Sequence, residues 1–205
     1  VPCEVEEAWI KELQGLSLKN VNLSTYINGK KYCEEFGEML FTHFGISGPI
    51  VLSTSNKINK HIDKDIEFII DLKPALSREK LDRRILKDFN QYNNKQIING
   101  LKDLLPNTMI PIILQLSKID EREKVNQITK EERECLLDNI KGMKLKFKKF
   151  RPIEEAIVTS GGISTVEINP STMESKLIKG LFFAGELIDV DALTGGFNLQ
   201  IAYST

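Results

Sequence analysis

Val21-Asn22-Leu23-Ser24-Thr25-Tyr26-Ile27-Asn28-Gly29-Lys30-Lys31-Tyr32-Cys33-Glu34-Glu35 is the stretch from which the fold is read. Val21, Leu23, Thr25 and Ile27 alternate with mostly polar residues, the period-two pattern of a half-buried strand. Asn28-Gly29 suits a two-residue type I′ turn, in which both positions need positive φ, so the stretch is a β-hairpin. Upstream lie Trp9, Leu13 and Leu16. Downstream, Ser47-Gly48-Pro49 before Ile50, Val51 and Leu52 reads as a capped helix start with proline in its first turn. Ile66, Phe68 and Ile70 alternate again and predict a strand ending near Pro74. The first part of the chain is therefore mostly strands.

From Ser77 the period becomes helical. Leu81, Ile85 and Phe89 share one face, and Ile97, Ile98, Leu101, Leu104 and Leu105 share another before Pro106 stops the pattern. A short third helix is expected after Pro111. A fourth opens with Thr129 and Glu132 at capping-box spacing, where each side chain satisfies the other residue's backbone amide, and continues through Leu136, Leu137 and Ile140. Leu145 to Phe150 returns to strand, so the helical bundle is inserted between strands of one β-rich unit. The last fifty residues read as two short apolar strands, Ala156-Ile157-Val158 and Leu181-Phe182-Phe183-Ala184. Each leads into glycine, and a helix over Phe197, Leu199, Ile201 and Tyr203 follows. The fold class is α+β. Its segments are a β-rich unit at 1–74, a helical bundle at 75–143, a returning strand at 144–155 and a separate carboxy-terminal part at 156–205.

Composition excludes several classes. The 205 residues are 41% hydrophobic and 28% charged, enough apolar surface to offset chain entropy and about one to two domains in length. The longest apolar runs, such as Met109 to Leu114, fall far short of the roughly 18 residues that cross a bilayer. Cys3, Cys33 and Cys135 are odd in number and lack metal-ligand spacing, which predicts buried free thiols, no metal site and a reducing, cytoplasmic compartment. No Ser-His-Asp constellation is discernible. The net charge of −1 hides segregation: 8 basic and 11 acidic residues at 1–76, 17 and 11 at 77–150, and 2 and 7 at 152–205. The middle excess sits largely in Lys141, Lys144, Lys146, Lys148, Lys149 and Arg151, where no acid intervenes. Such a run could meet RNA or an acidic partner surface. Because Leu145 and Phe147 alternate with these lysines, the preferred reading is the solvated edge of a half-buried strand, and the near-neutral net charge also argues against a nucleic-acid partner.

Three motifs carry a resemblance. Val158-Thr159-Ser160-Gly161-Gly162, Gly180-Leu181-Phe182-Phe183-Ala184-Gly185-Glu186, and Asp189-Val190-Asp191-Ala192-Leu193-Thr194-Gly195-Gly196-Phe197-Asn198-Leu199-Gln200 resemble the carboxy-terminal signature of the BaiN/YhiN-type flavoproteins. Trp9 to Leu18 and Phe41-Thr42-His43-Phe44-Gly45-Ile46-Ser47-Gly48-Pro49 resemble the same family's insert. The resemblance implies a two-dinucleotide-type FAD domain interrupted by a β-barrel-like insert that carries a helical bundle. This chain would hold the insert and the carboxy-terminal strand, loop and helix of the FAD domain. The family's amino-terminal GxGxxG segment is absent, since none of the 13 glycines forms that pattern. The chain begins at Val1 and stops at Thr205 within an amphipathic pattern, as expected of a fragment that is inactive without that missing segment, its partner from the same protein.

The implied activity is that of a FAD-dependent oxidoreductase moving hydride between flavin N5 and a small-molecule substrate, with NAD(P)H as a possible donor. The implied cofactor-binding residues are Gly161, Gly162, Gly185, Glu186, Gly195, Gly196 and Phe197. Gly185 would let the cofactor approach the backbone, and Glu186 would hydrogen-bond the ribityl chain. Gly195, Gly196 and the Phe197 amide would face the pyrimidine edge of the ring at a helix start. Gly161 and Gly162 would line its reactive side, a simple turn being the competing reading. No catalytic side chain is identified. Asp189 and Asp191 are read as loop-fixing or capping residues, His43 as a structural histidine and His61 as exposed. The alternative function is a protein- or RNA-interaction module that uses the helical bundle and the run Lys141 to Arg151.

Overall fold

The computed structural model describes residues 1–192 and 195–205, which form two compact units, Pro2–Arg151 and a smaller one over Pro152–Thr205. The larger is a closed six-stranded barrel with helices, a mixed α+β architecture. Its strands are β1 (Cys3–Val5), β2 (Ser17–Ile27), β3 (Lys30–Phe41), β4 (Gly45–Ser47), β5 (Ile66–Asp71) and β6 (Met143–Phe150), ordered β1-β4-β3-β2-β5-β6 with every pairing antiparallel.

The hairpin that decides the fold is longer than its alternation predicts. Ile27 pairs with Lys30, while Asn28 and Gly29 take φ of 50° and 74°, the two positive values a type I′ turn needs. Asn28 also ties the turn to the next strand: its amide donates to the Asp65 carbonyl at 2.8 Å and its side-chain oxygen accepts from the Asp65 amide at 3.2 Å. Inside the barrel Leu23, Thr25, Met39, Phe41, Ile46, Phe68, Ile70 and Leu145 are fully buried. Each large apolar side chain so enclosed contributes about 1.5–3 kcal/mol.

A helix α1 (Pro49–Ile58) covers one side of β3 and starts at Gly48, whose φ of 96° and lack of a β-carbon let the chain cross β3: a β-carbon there would lie 2.9 Å from the Met39 Cα. The cap is backbone geometry, with no side-chain cap hydrogen bond. Gly45 is tighter still, since a β-carbon would sit 2.2 Å from the Cys3 carbonyl oxygen.

Between β5 and β6 come α2 (Arg78–Gln91), α3 (Ile97–Gly100), α4 (Ile110–Leu116) and α5 (Lys130–Lys141). Ser77 caps α2 by accepting from the Lys80 amide. The capping box at α5 is complete: Thr129 Oγ1 accepts from the Glu132 amide at 3.2 Å and the Thr129 amide donates to Glu132 at 2.8 Å. The helix expected through Leu105 is only four residues long. Ile97 opens it with its amide donating to the Glu123 carbonyl, and Gly100, where a β-carbon would strike Val125 at 2.8 Å, ends the helix in favour of tight turns. Ile97, Leu101, Leu104 and Leu105 are nevertheless buried, so periodicity located the core correctly and the element wrongly. The third helix begins at Ile110, with Pro111 inside its first turn. The barrel and these helices share one continuous apolar core.

The basic run is not a sheet edge. β6 pairs with β5 on one side and β1 on the other, and most of its cations have acidic partners: Lys141 with Asp71 at 2.5 Å, Lys144 with Glu67 at 3.9 Å, and Lys146 with Asp65. Lys149 and Arg151 share Glu4 at 3.6 and 2.9 Å. The guanidinium of Arg151 also lies over the Phe44 ring at 4.5 Å.

Among its described residues, the unit Pro152–Thr205 has no regular strand. Ala156 to Val158 and Leu181 to Ala184, expected as strands, are irregular, apart from a single bridge between Phe182 and Glu174. A strand exists only where a neighbour takes its backbone groups, and among the described residues of this unit none does so over more than one pair. Among the described residues of this unit only α6 (Phe197–Ser204) is an α-helix. Across the chain, no helix among the described residues is long and apolar enough to cross a membrane.

Gly45→Ala should lower unfolding free energy by about 3 kcal/mol or prevent folding, because the added carbon meets rigid backbone. Urea denaturation followed by circular dichroism measures it. A second outcome concerns Glu4, whose carboxyl the hydrogen bond from Arg151 holds below the ordinary glutamate range. Its contribution is complete above the unfolded-state value and is lost as pH falls through the depressed folded value. The melting-temperature gap between wild type and Glu4→Gln should therefore be open at pH 7 and close only in acid below about pH 4.

Candidate functional site

The glycine-rich segments of the smaller unit converge because short backbone bonds pin them. Ile163 and Ile188 form a parallel bridge: the Ile163 amide donates to the Leu187 carbonyl and the Asp189 amide to the Ile163 carbonyl, both at 2.9 Å. This contact brings the Gly161-Gly162 loop against the turn Gly185–Leu187. Gly162 makes it possible, since a β-carbon would lie 2.5 Å from the Leu187 carbonyl oxygen. The turn is fixed in turn to α6, where the Gly185 amide donates to Thr205 Oγ1 at 2.9 Å.

These pieces enclose a cavity of about 220 Å³ lined by Ala156 to Thr159, Gly161, Gly185, Glu186, Ile188, Val190, Asn198, Ile201 and Ala202. It is smaller than the roughly 300–1,000 Å³ of a pocket that holds a whole ligand, so it accommodates part of one. The walls are mixed, with Thr159 and Asn198 beside the apolar side chains and one carboxylate. Glu186 is exposed and able to accept hydroxyl hydrogen bonds.

Of the residues singled out from sequence, Gly161, Gly185 and Glu186 meet at this cavity, and Gly162 supports it from behind. Gly195, Gly196 and Phe197 form the entry to α6 and do not line it. Gly196 takes a left-handed φ of 90° and accepts from the Gln200 amide at 3.0 Å, so the helix starts sharply and leaves its first amides without intrahelical acceptors. Leu193 and Thr194 lie outside the described residues.

Sequence reasoning missed Asn198. Its side chain accepts from the Ala192 amide at 2.7 Å and donates to the Ala192 carbonyl at 2.9 Å, fastening the segment before α6 to the helix. Asparagine carries an NH2 donor and a separate carbonyl acceptor on one short side chain, and its place directly after Gly195-Gly196-Phe197 was the available signal.

The remaining candidates belong to the barrel unit. His43 is exposed and meets the edge of Phe44 at 5.0 Å between ring centres, and His61 meets Tyr32 at 5.1 Å. Burial pushes the Cys3 thiol up to about 12 and raises Cys33, so neither is a thiolate near neutrality. Among the described residues no group of three or more His, Cys, Asp or Glu could hold a metal ion.

Comparison with known proteins bears on both units. A family model described as "HI0933-like protein barrel and H2TH domain" matches residues 1–158. The 3-dehydro-bile acid delta(4,6)-reductase of Clostridium scindens is 32% identical over 84% of this chain and 42% of its own length. The ribosomal RNA dihydrouridine synthase of Escherichia coli K12 is 28% identical over 100% of this chain and 49% of its own length. The protein of the same name from Haemophilus influenzae is 32% identical over 97% and 46%. The chain spans about half the length of these curated relatives.

Asn198→Ala should speed hydrogen exchange at the Ala192 amide about tenfold or more, since two hydrogen bonds of about 1 kcal/mol each are lost. Unchanged protection, read by native-state exchange, would show that something else holds the loop.

Proposed function

Because the chain belongs to the HI0933-like family, the BaiN/YhiN type, we propose that it is part of a FAD-dependent oxidoreductase that reduces a carbon–carbon double bond conjugated to a carbonyl. The observation that carries this reading is the convergence of Gly161, Gly185 and Glu186 on one cavity beside α6. The names of its relatives, a delta(4,6)-reductase and a dihydrouridine synthase, both describe hydrogen added across a double bond. Those names also support oxidoreductase chemistry at the level of the family.

The residues fit a flavin. Gly162 tolerates no β-carbon, so the loop it carries packs directly against the turn after Ala184, and a flavin ring would lie beside that junction. Glu186 would hold polyol hydroxyls, and the entry of α6 at Gly195, Gly196 and Phe197 would present amides to an electron-rich edge. The apolar wall from Ala156 to Val158 would exclude water from the ring's face. The chemistry that a flavin held there would supply is hydride transfer at N5, with a nicotinamide as the proposed source of the electron pair. The carbon pair would gain that hydride and one proton from solvent, while the nicotinamide donor leaves oxidised. In the whole protein, the length of the relatives that this chain does not match would supply the remaining flavin contacts. It would also cover Ile157, Val166, Leu177, Phe182 and Tyr203, each at least 60% exposed here.

The alternative contact surface, Lys141 to Arg151, is largely taken by its own carboxylates, so it does not favour an interaction module.

The whole protein should purify yellow, and NADH or NADPH should bleach its flavin band; colourless protein that takes up no FAD would overturn the reading. Glu186→Ala in that protein should weaken FAD binding about tenfold or more, the loss of one hydrogen bond to a charged group. Residues 1–205 alone should show little FAD affinity by fluorescence titration.

A further inference from the structure

Glu186 is the one carboxylate lining the cavity, and among the described residues its side chain has no ion-pair or hydrogen-bond partner. What is fixed is its backbone, from both flanks. On one side the Leu187 carbonyl accepts from the Ile163 amide at 2.9 Å. On the other the Gly185 amide donates to Thr205 Oγ1 at 2.9 Å, across 20 residues of chain. Gly185 depends on this second tie more than another residue would: at a φ of 73° it stands in the left-handed region, and without a β-carbon it has many other conformations open to it. The Thr205 hydroxyl is in turn aimed by α6, its hydrogen shared between the Ile201 and Ala202 carbonyls at 3.3 and 3.4 Å. Ile201 and Ala202 line the same cavity. One helix therefore supplies part of the cavity wall and, through a single hydroxyl, holds the turn that carries the carboxylate.

We propose that Thr205 is a positioning residue for the flavin: its hydroxyl holds the Gly185–Leu187 turn so that the Glu186 carboxylate meets polyol hydroxyls already aimed. The proposal rests on the flavin reading and names how one contact of that site is built. An acceptor whose backbone is held before the ligand arrives costs less ordering on binding. With no internal donor competing for it, the carboxylate stays open to the hydroxyls of a ligand. Ser204, the neighbour of Thr205, supplies the contrast. Its hydroxyl donates to the Gln200 carbonyl at 2.6 Å and accepts from Gln200 Nε2 at 3.1 Å, both bonds staying within α6.

The test is fluorescence titration of FAD into the whole protein after its flavin has been stripped. Thr205 and Ser204 are exposed, so changes at either leave the core intact. Thr205→Ala should weaken FAD binding about fivefold, the worth of one ordinary hydrogen bond. Thr205→Ser, which keeps the hydroxyl, and Ser204→Ala should each bind within about twofold of wild type. Because Thr205 acts through Glu186, Thr205→Ala/Glu186→Ala should bind no more weakly than Glu186→Ala alone, the coupling that a double-mutant cycle reads. Native-state hydrogen exchange at the Gly185 amide of the stripped protein should speed about fivefold in Thr205→Ala. Unchanged affinity or unchanged Gly185 exchange in Thr205→Ala would overturn the proposal and leave the flavin reading standing. So would losses that multiply in the double variant, or an equal loss in Ser204→Ala. Wild-type protein that takes up no FAD would overturn that reading, and the proposal with it.

Discussion

Closure of the barrel is the constraint on which the larger unit depends. β1 pairs with β4 on one side and β6 on the other, so three residues near the start of the chain hold a strand that begins at Met143. Cys3 faces Phe150 and Glu4 faces Lys149 across that seam. An open six-stranded sheet would expose two edges of unpaired amides and carbonyls, whereas closure leaves none. The cost is loop entropy, because everything between β5 and β6 must return to the point it left. Such closure grows more costly only slowly with length, so a helical excursion of some seventy residues is tolerated if it packs on the same core. It does: the Leu72 amide donates to the Ile140 carbonyl at 3.0 Å, and Lys141 bridges the Lys73 and Leu76 carbonyls at 3.1 and 2.7 Å, fastening the end of α5 to the end of β5.

Much of that architecture was legible because its signals are local. Asn28-Gly29 specifies its turn through two positive φ values, and Thr129 with Glu132 specifies a helix start through two hydrogen bonds three residues apart. Strand pairing across the seam is not local. Nothing in Cys3-Glu4-Val5 announces a strand, since three residues carry too little alternation, and the pairing is specified by residues some 145 positions away. The failure at Ile98 to Leu105 has the same origin. The apolar period was real, but the chain turns after Gly100, which is needed small for Val125 rather than for a helix.

The candidate site shows the complementary case. Its glycines were found from resemblance, and the structure supplies the physical reason for one of them: Gly162 faces the Leu187 carbonyl at a distance no side chain permits. The strands on which those motifs were expected to sit did not form. Ala156 to Val158 and Leu181 to Ala184 are apolar enough for strands, yet apolarity fixes which face is buried, while pairing needs a neighbour. Ile157 at 70% and Phe182 at 60% exposure are the side chains such a neighbour would cover. Asn198 escaped notice because a bidentate amide contact to Ala192 depends on a loop geometry that no periodicity encodes.

Charge is where sequence and structure diverge most usefully. Adjacency along the chain made Lys141 to Arg151 look like a cationic patch, because the acids that answer it come from Glu4, Asp65, Glu67 and Asp71, far away in sequence. A strand in a sheet has lateral neighbours on both sides, so its charges are readily met across the ladder. A surface helix has an outer face with no lateral neighbour and can meet charge only at three- and four-residue spacing along itself. On α2 those spacings join Lys80 to Arg83 and Arg83 to Lys87, like with like, and the favourable pair Arg84 with Asp88 sits toward the core. Adjacency along the chain is therefore a poor guide to exposed charge, and the net charge of −1 says little about where either sign is exposed.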